Sequence, residues 1–154
     1  MIKLWRTCLI LSLSLLLASC ASNVSLSDAD MQRQYPSVAT LHNQLIEAED
    51  QNIHLLSPER FKQASESYAE SVKWASADNP KANDFAKTGL SRLAEANANA
   101  VEARDVLEEV INARNKAIAA GANTSQPKPF KEAEKSFLGL TSLIESGKVG
   151  KAKD

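Results

Sequence analysis

Apolar residues recur along most of the chain at three- and four-residue steps, with polar residues between them. That is the period of a helix with one buried face. Val38, Leu41, Leu45, Ala48 and Leu55 make the first such row and predict helix one over 38–56, with Ser37 as N-cap after Pro36. Helix two has a sharper start. Ser57 stands at the N-cap, Pro58 at the first helical position, where its missing N–H costs nothing, and Glu59 complements the positive helix end. Phe61, Ala64, Tyr68, Val72 and Ala75 form its stripe, and Asp78-Asn79-Pro80 ends it.

Asn79 and Pro80 then open a third helix, and no proline follows until Pro127. The run to about Ala120 therefore predicts one helix of roughly 40 residues, about 60 Å long. Leu90, Leu93, Ala100, Leu107, Ile111 and Ile118 mark its core side, and Gly89 is its expected weak point. Arg104 and Arg114 lie near that side, where their stems cover apolar surface and their heads reach water. Gly121 suits the left-handed cap that ends a helix. Helix four carries Phe130, Ala133, Phe137, Leu140 and Ile144 and closes at Gly147. The pattern predicts an all-α fold: an antiparallel bundle of about four helices around one long central helix.

The rows also repeat. Phe61-Lys62-Gln63-Ala64, with Ser67-Tyr68 three residues on, matches Phe130-Lys131-Glu132-Ala133 with Ser136-Phe137 at an offset of 69 residues. Each copy has a proline just upstream and an Asn- or Gly-containing turn downstream. Pro80-Lys81-Ala82-Asn83-Asp84, which opens the long helix, resembles Gly150-Lys151-Ala152-Lys153-Asp154. Two readings stand: amphipathic helices that resemble one another, or a truncated two-unit helical repeat. Repeat units bury their apolar faces against neighbours, so the second reading carries the expectation of a natural protein that continues past Asp154.

The N-terminus follows a different pattern. Met1 to Thr7 carry Lys3 and Arg6, and the ten residues from Cys8 to Leu17 are mostly apolar. That run is too short to span a bilayer as a helix and has the form of a secretory leader. Ala18 and Ser19 are small and admit a peptidase, and Cys20 follows them. Residues 21–36 are small and polar and read as a flexible tether after Cys20. The domain plan is thus a signal peptide over 1–19, Cys20 with a tether over 20–36, and a helical domain over 37–154.

Composition narrows the function. Cys8 lies in the leader and Cys20 at its edge, so the helical domain has no cysteine pair for a disulfide and no cysteine for redox or zinc chemistry. Without Lys3 and Arg6, 16 basic residues face 19 acidic ones, a net charge of −3 with no basic footprint for nucleic acid. His42 and His54 are twelve residues apart and make no metal-ligand spacing. No P-loop, Gly-x-Ser-x-Gly or Gly-x-Gly-x-x-Gly motif is present. Glu108-Glu109 on a helix surface reads as solvated charge. No catalytic residues, metal ligands or cofactors are predicted. Trp74, beside the stripe of helix two, is the candidate interface anchor if exposed.

Leu17-Ala18-Ser19-Cys20 resembles the lipobox of bacterial lipoproteins. The resemblance implies cleavage between Ser19 and Cys20 and acylation of Cys20. Several acyl chains would hold the protein on a membrane where one chain alone is marginal. Ala21 and Ser22 follow, with no Asp after the cysteine, which by the family's sorting pattern implies the outer membrane of a Gram-negative cell. With its Ala-rich helices and Ser-Pro-Glu-Arg-Phe-Lys-Gln-Ala, the chain also resembles the helical N-terminal region of lipoproteins that end in an OmpA-type peptidoglycan-binding domain. That domain has no counterpart here, so peptidoglycan binding is expected only through a further C-terminal domain. The expected function is a non-enzymatic spacer or interaction module in the cell envelope with a protein partner there. The alternatives are a binding module for an envelope ligand or cell-wall fragment, and an accessory subunit of an envelope complex.

Overall fold

The computed structural model describes residues 27–153. The described residues form helices joined by short turns, with no strand among them. Helix α1 spans Asp28–Gln34. Ser27 caps it: its Oγ accepts from the Asp30 N–H at 3.3 Å and donates to the Asp30 carboxylate at 2.6 Å. That bond, and then the Arg33 guanidinium on the same carboxylate, hold the Asp30 carboxyl below its ordinary value. The tether expected over 20–36 is corrected at its C-terminal end, since the chain is helical from Asp28 and Tyr35 is buried.

Helix α2 spans Pro36–Asp50, starting on the proline that sequence placed before the helix. The expected helix one divides after it, because Asn52 takes the left-handed conformation at φ +58° and α3, Ile53–Leu56, is a separate turn. A left-handed residue cannot continue a right-handed helix, and Asn tolerates that geometry better than most. Helix α4 spans Pro58–Ser76 and α5 spans Lys81–Val106. Between them Asp78 is left-handed at φ +49°. The Asp78 and Asn79 N–H groups bond back to Ala75 and Trp74 carbonyls at 2.9 and 3.0 Å, the paired bonds that close a helix end. Asn79 Oδ1 accepts from the Lys81 N–H at 3.0 Å and so caps α5, as expected of it.

Two hydrogen bonds fix the directions. At one end Tyr35, before α2, donates its hydroxyl to Asp78 Oδ1 at 2.9 Å, before α5. At the other end Arg104 of α5 donates to the Gln51 carbonyl after α2 at 2.9 Å. Thus α2 and α5 run parallel, and α4 runs antiparallel to both. Their shared core holds Val38, Leu41, Ile53, Ala64, Ala86 and Leu93, all buried. Gly89 lies in the middle of this packing and α5 runs unbroken through it. A Cβ on Gly89 would meet Leu41 Cδ2 at 2.5 Å, Ser67 Cβ at 3.1 Å and the Ala64 carbonyl oxygen at 3.3 Å. The glycine is there for close approach, so the expected weak point is a contact.

The long third helix is interrupted elsewhere. Leu107, at φ −110° and ψ +23°, separates α5 from α6, Glu108–Ala119. The backbone ladder passes the joint, with Leu107 N–H on the Ala103 carbonyl and Ile111 N–H on the Leu107 carbonyl, both at 2.9 Å. Then come α7, Ala122–Ser125, α8, Pro127–Glu145, and α9, Val149–Lys153. The four expected helices are therefore nine among the described residues, with α5 as the long central one.

The backbone pattern recurs at the interval of the sequence match. α4 and α8 are each 19 residues long, and α8 is displaced from α4 by 69 positions at both ends. α3 and α7, four residues each, are displaced by the same 69. So are the left-handed residues, Asn52 with Gly121 and Asp78 with Gly147. We call α2 to α5 unit one and α6 to α9 unit two; the rod α5–α6 passes from one to the other.

Candidate functional site: the incompletely covered second unit

Three described residues of α8 hold unit two to unit one. Phe137, Thr141 and Ile144 are buried, and all lie in its second half. Glu145, the last residue of α8, reaches the start of α4. Its carboxylate accepts the Ser57 hydroxyl at 2.6 Å, the Arg60 N–H at 2.6 Å and the Glu59 N–H at 3.0 Å. Ser57 was expected to cap α4 with its own side chain. It occupies the N-cap position, but its hydroxyl donates to Glu145 and accepts from Asn99 Nδ2 at 3.3 Å. A carboxylate 86 residues from Glu59 thus satisfies free N–H groups at a positive helix end. No local pattern announces this; the only sign is one acid at the end of an apolar stripe.

Away from that anchor unit two is open. No residue of α6 is buried. Leu41 of α2 is 0% exposed, whereas Val110, 69 positions on, is 40% exposed, and Ile118 is 37% exposed. Ala64 of α4 is buried, whereas Ala133 of α8 is exposed. In unit one α5 covers these positions. In unit two its place is taken by α9, five residues long, with Ala152 buried at its foot.

α6 and α8 are joined across this face by Arg114 and Glu134. Arg114 Nε and Nη2 donate to the two Glu134 oxygens at 2.7 and 2.9 Å, and the guanidinium lies 5.7 Å from the Phe137 ring centre. Arg114 also lines a cleft of about 230 Å³ between α3, the Leu107 joint and α8. Leu55, Ile111 and Phe137 give it an apolar floor, with Arg104 and Asn52 at its edge.

The other residues singled out by sequence lie apart from this face. Trp74 is half-buried at the opposite end of α5, stacked on Phe85 at 6.4 Å with Lys81 Nζ 5.1 Å from its ring centre. Its Nε1 is buried with no hydrogen-bond partner. His42 is exposed and stacks on Tyr68 at 5.2 Å, while His54 tilts against Phe61 at 5.8 Å. Among the described residues no group of three or more His, Cys, Asp or Glu side chains could hold a metal ion. No described helix is long and apolar enough to cross a membrane. The signal peptide over 1–19, the cleavage edge at Ser19 and the lipidation site Cys20 lie outside the described residues. Compared with known proteins, the chain matches no family model, no curated protein and no solved structure.

Proposed function

We propose that the chain is a lipid-anchored periplasmic lipoprotein of the Gram-negative outer membrane, and that it works without catalysis as a spacer and interaction module of the cell envelope. The observation that carries this is the order Leu17-Ala18-Ser19-Cys20 behind a basic start and a ten-residue apolar run. The helical units support it. They give the chain a jointed rod, α5–α6, a shape that suits a spacer. Extraction from the native membrane followed by intact-mass measurement tests the anchor. The expected mass is that of the chain from Cys20 plus acyl groups, and Cys20→Ser yields an unacylated protein that leaves the membrane fraction. Acyl-free wild type refutes the reading.

A second reading has one observation in its favour. The cleft between α3, the joint and α8 combines an apolar floor with Arg104 and Arg114, the kind of lining that suits a small amphipathic anion. On that reading the protein is a binding module for an envelope ligand. A cell-wall fragment or an acyl carboxylate would then protect Phe137 and Ile111 resonances in solution, which a pure spacer would not show.

A further inference from the structure

We infer that the cleft at the Leu107 joint takes a short aliphatic carboxylate, and that the bound chain braces the joint between the two units. This rests on the binding-module reading and names its ligand class. The site is separate from the open face of α6 and α8. Its floor residues Ile111 and Phe137 stand 69 positions after His42 and Tyr68. His42 is exposed although α5 lies over α2 and α4, so this side of a unit stays outside a covering helix.

The repeat supplies an internal control. In unit one the corresponding hollow is lined by Met31, Val38, His42 and Tyr68, with no Lys or Arg. Unit two has Ile111 and Phe137 in place of His42 and Tyr68, Arg104 in place of Tyr35 and Arg114 in place of Leu45. The floor thus loses its polar groups where the rim gains charge. The cleft holds about 230 Å³. That is below the roughly 300–1,000 Å³ of sites for drug-sized ligands, so a short chain fits.

Charge sets the head group. No Asp or Glu lines the cleft. Arg114 is balanced by Glu134, at 2.7 and 2.9 Å. Arg104 makes no ion pair among the described residues. Its bond to the Gln51 carbonyl at 2.9 Å holds it at the rim and leaves most of its donors open. One uncompensated guanidinium matches one carboxylate, and the charge-assisted fork is the strong form of that contact. The walls come from both sides of the joint. Asn52 and Leu55 belong to unit one, Ile111 and Phe137 to unit two, and Arg104 precedes Leu107. A chain seated among them is released when the units part, so binding favours the closed joint by mass action.

The test titrates the full chain in lipid nanodiscs with octanoate at neutral pH and, in parallel, with octanol, read on the methyl resonances of Leu55 and Ile111. Arg104→Gln removes the open cation from an exposed position, and Asn115→Trp, also at an exposed position, fills the mouth of the cleft. Circular dichroism checks that both variants fold. Three results together support the inference: saturable octanoate binding that each variant weakens about tenfold, octanol binding indifferent to Arg104→Gln, and exchange of the Ile111 amide slowed about tenfold at ten times the Kd. Octanoate shifts that both variants leave unchanged report chains dissolved in the bilayer and overturn it. Binding without slower exchange overturns the brace. If octanoate leaves these resonances unmoved while a disaccharide-peptide fragment of the cell wall shifts them, the carboxylate class is refuted and the binding-module reading stands. If neither shifts them, both fall.

Discussion

Units one and two share a backbone pattern at a displacement of 69 residues, yet one has a continuous core and the other has an open side. The difference is coverage. In unit one, α5 closes over α2 and α4, and Val38, Leu41, Leu45, Ala48, Ala64 and Ala75 of their shared stripe are buried. In unit two, α6 and α8 reach water on the equivalent stripe, and among the described residues only α9, Val149–Lys153, lies where α5 lies in unit one. Similar helices with similar periodicity therefore differ in coverage for a reason that neither helix contains. Apolar burial stabilises by area removed from water, and area is removed only where a second surface arrives.

The sharpest test exchanges equivalent side chains for alanine. Leu41→Ala empties a fully buried site and should cost about 2–5 kcal/mol. Val110→Ala, on the open face, should stay within about 0.5 kcal/mol. Urea unfolding of both variants measures the pair. Equal losses would mean that unit two is covered in solution, and the contrast would fail.

Glu145 gives the next largest effect. Glu145→Ala removes the acceptor of the Ser57 hydroxyl and of two N–H groups at the start of α4 and leaves a buried hydroxyl with Asn99 alone. The expected loss is about 2 kcal/mol, with faster amide exchange through α8 than through α4. The residue 69 positions earlier, Ser76, is exposed and bonds only to the Val72 carbonyl of its own helix. Ser76→Ala should therefore change stability by no more than about 0.5 kcal/mol. A similar small change at Glu145 would show that the inter-unit cap contributes nothing.

Much of the helical framework was legible in the sequence, because its signals are local. Pro58 and Pro127 open α4 and α8, and Gly121 and Gly147 take left-handed caps that glycine favours. Three features had other causes. Asp78-Asn79-Pro80 ended α4 as expected, but Asn52 takes its left-handed cap without glycine, and one Asn is a weak mark for the break after α2. Leu107 interrupts the long rod with neither proline nor glycine, and the only local mark is the Glu108-Glu109 pair in the first turn of α6, read as solvated charge. The Glu145 cap joins residues too far apart for any local pattern to report. The N-terminal helix is a different failure. Ser27 and Asp30 have the three-residue spacing of a capping box, and small polar composition hid it inside an expected tether. The open face needed the burial of unit one for comparison, because the exposure of Val110 and Ala133 is telling only beside buried Leu41 and Ala64.

Gly89 and Gly139, one inside α5 and one inside α8, sharpen the comparison at the level of about 1 kcal/mol. Alanine is favoured over glycine in a helix by roughly 1 kcal/mol. At Gly139 of α8 a Cβ meets nothing within 4 Å, so Gly139→Ala should gain most of that amount. At Gly89 the same Cβ presses on buried Leu41 and on the Ala64 carbonyl, and overpacking costs about 1–3 kcal/mol. Gly89→Ala should therefore lose about 1 kcal/mol net. Opposite signs for one substitution in two helices would locate the close contact in unit one, and a gain at both positions would refute it.

The smallest contrast lies where α2 begins. Tyr35 is buried and bonded to Asp78, whereas the residue 69 positions on is Arg104, exposed on the rod. Burial first, and then the Asp78 carboxylate, raise the Tyr35 phenol above its ordinary value near 10. The folded state thus favours the neutral phenol. That contribution is full below the unfolded value and is lost as pH rises through the higher folded one. Tyr35→Phe should cost about 1 kcal/mol at neutral pH, where the hydrogen bond to Asp78 is intact. Above roughly pH 10 the wild type must ionise a buried phenol while the variant has none, so the two unfolding midpoints should converge. Urea titrations at both pH values decide it. A gap of constant width would mean that the phenol is solvated in the folded protein, and that the start of α2 is as open to water as the far side of unit two.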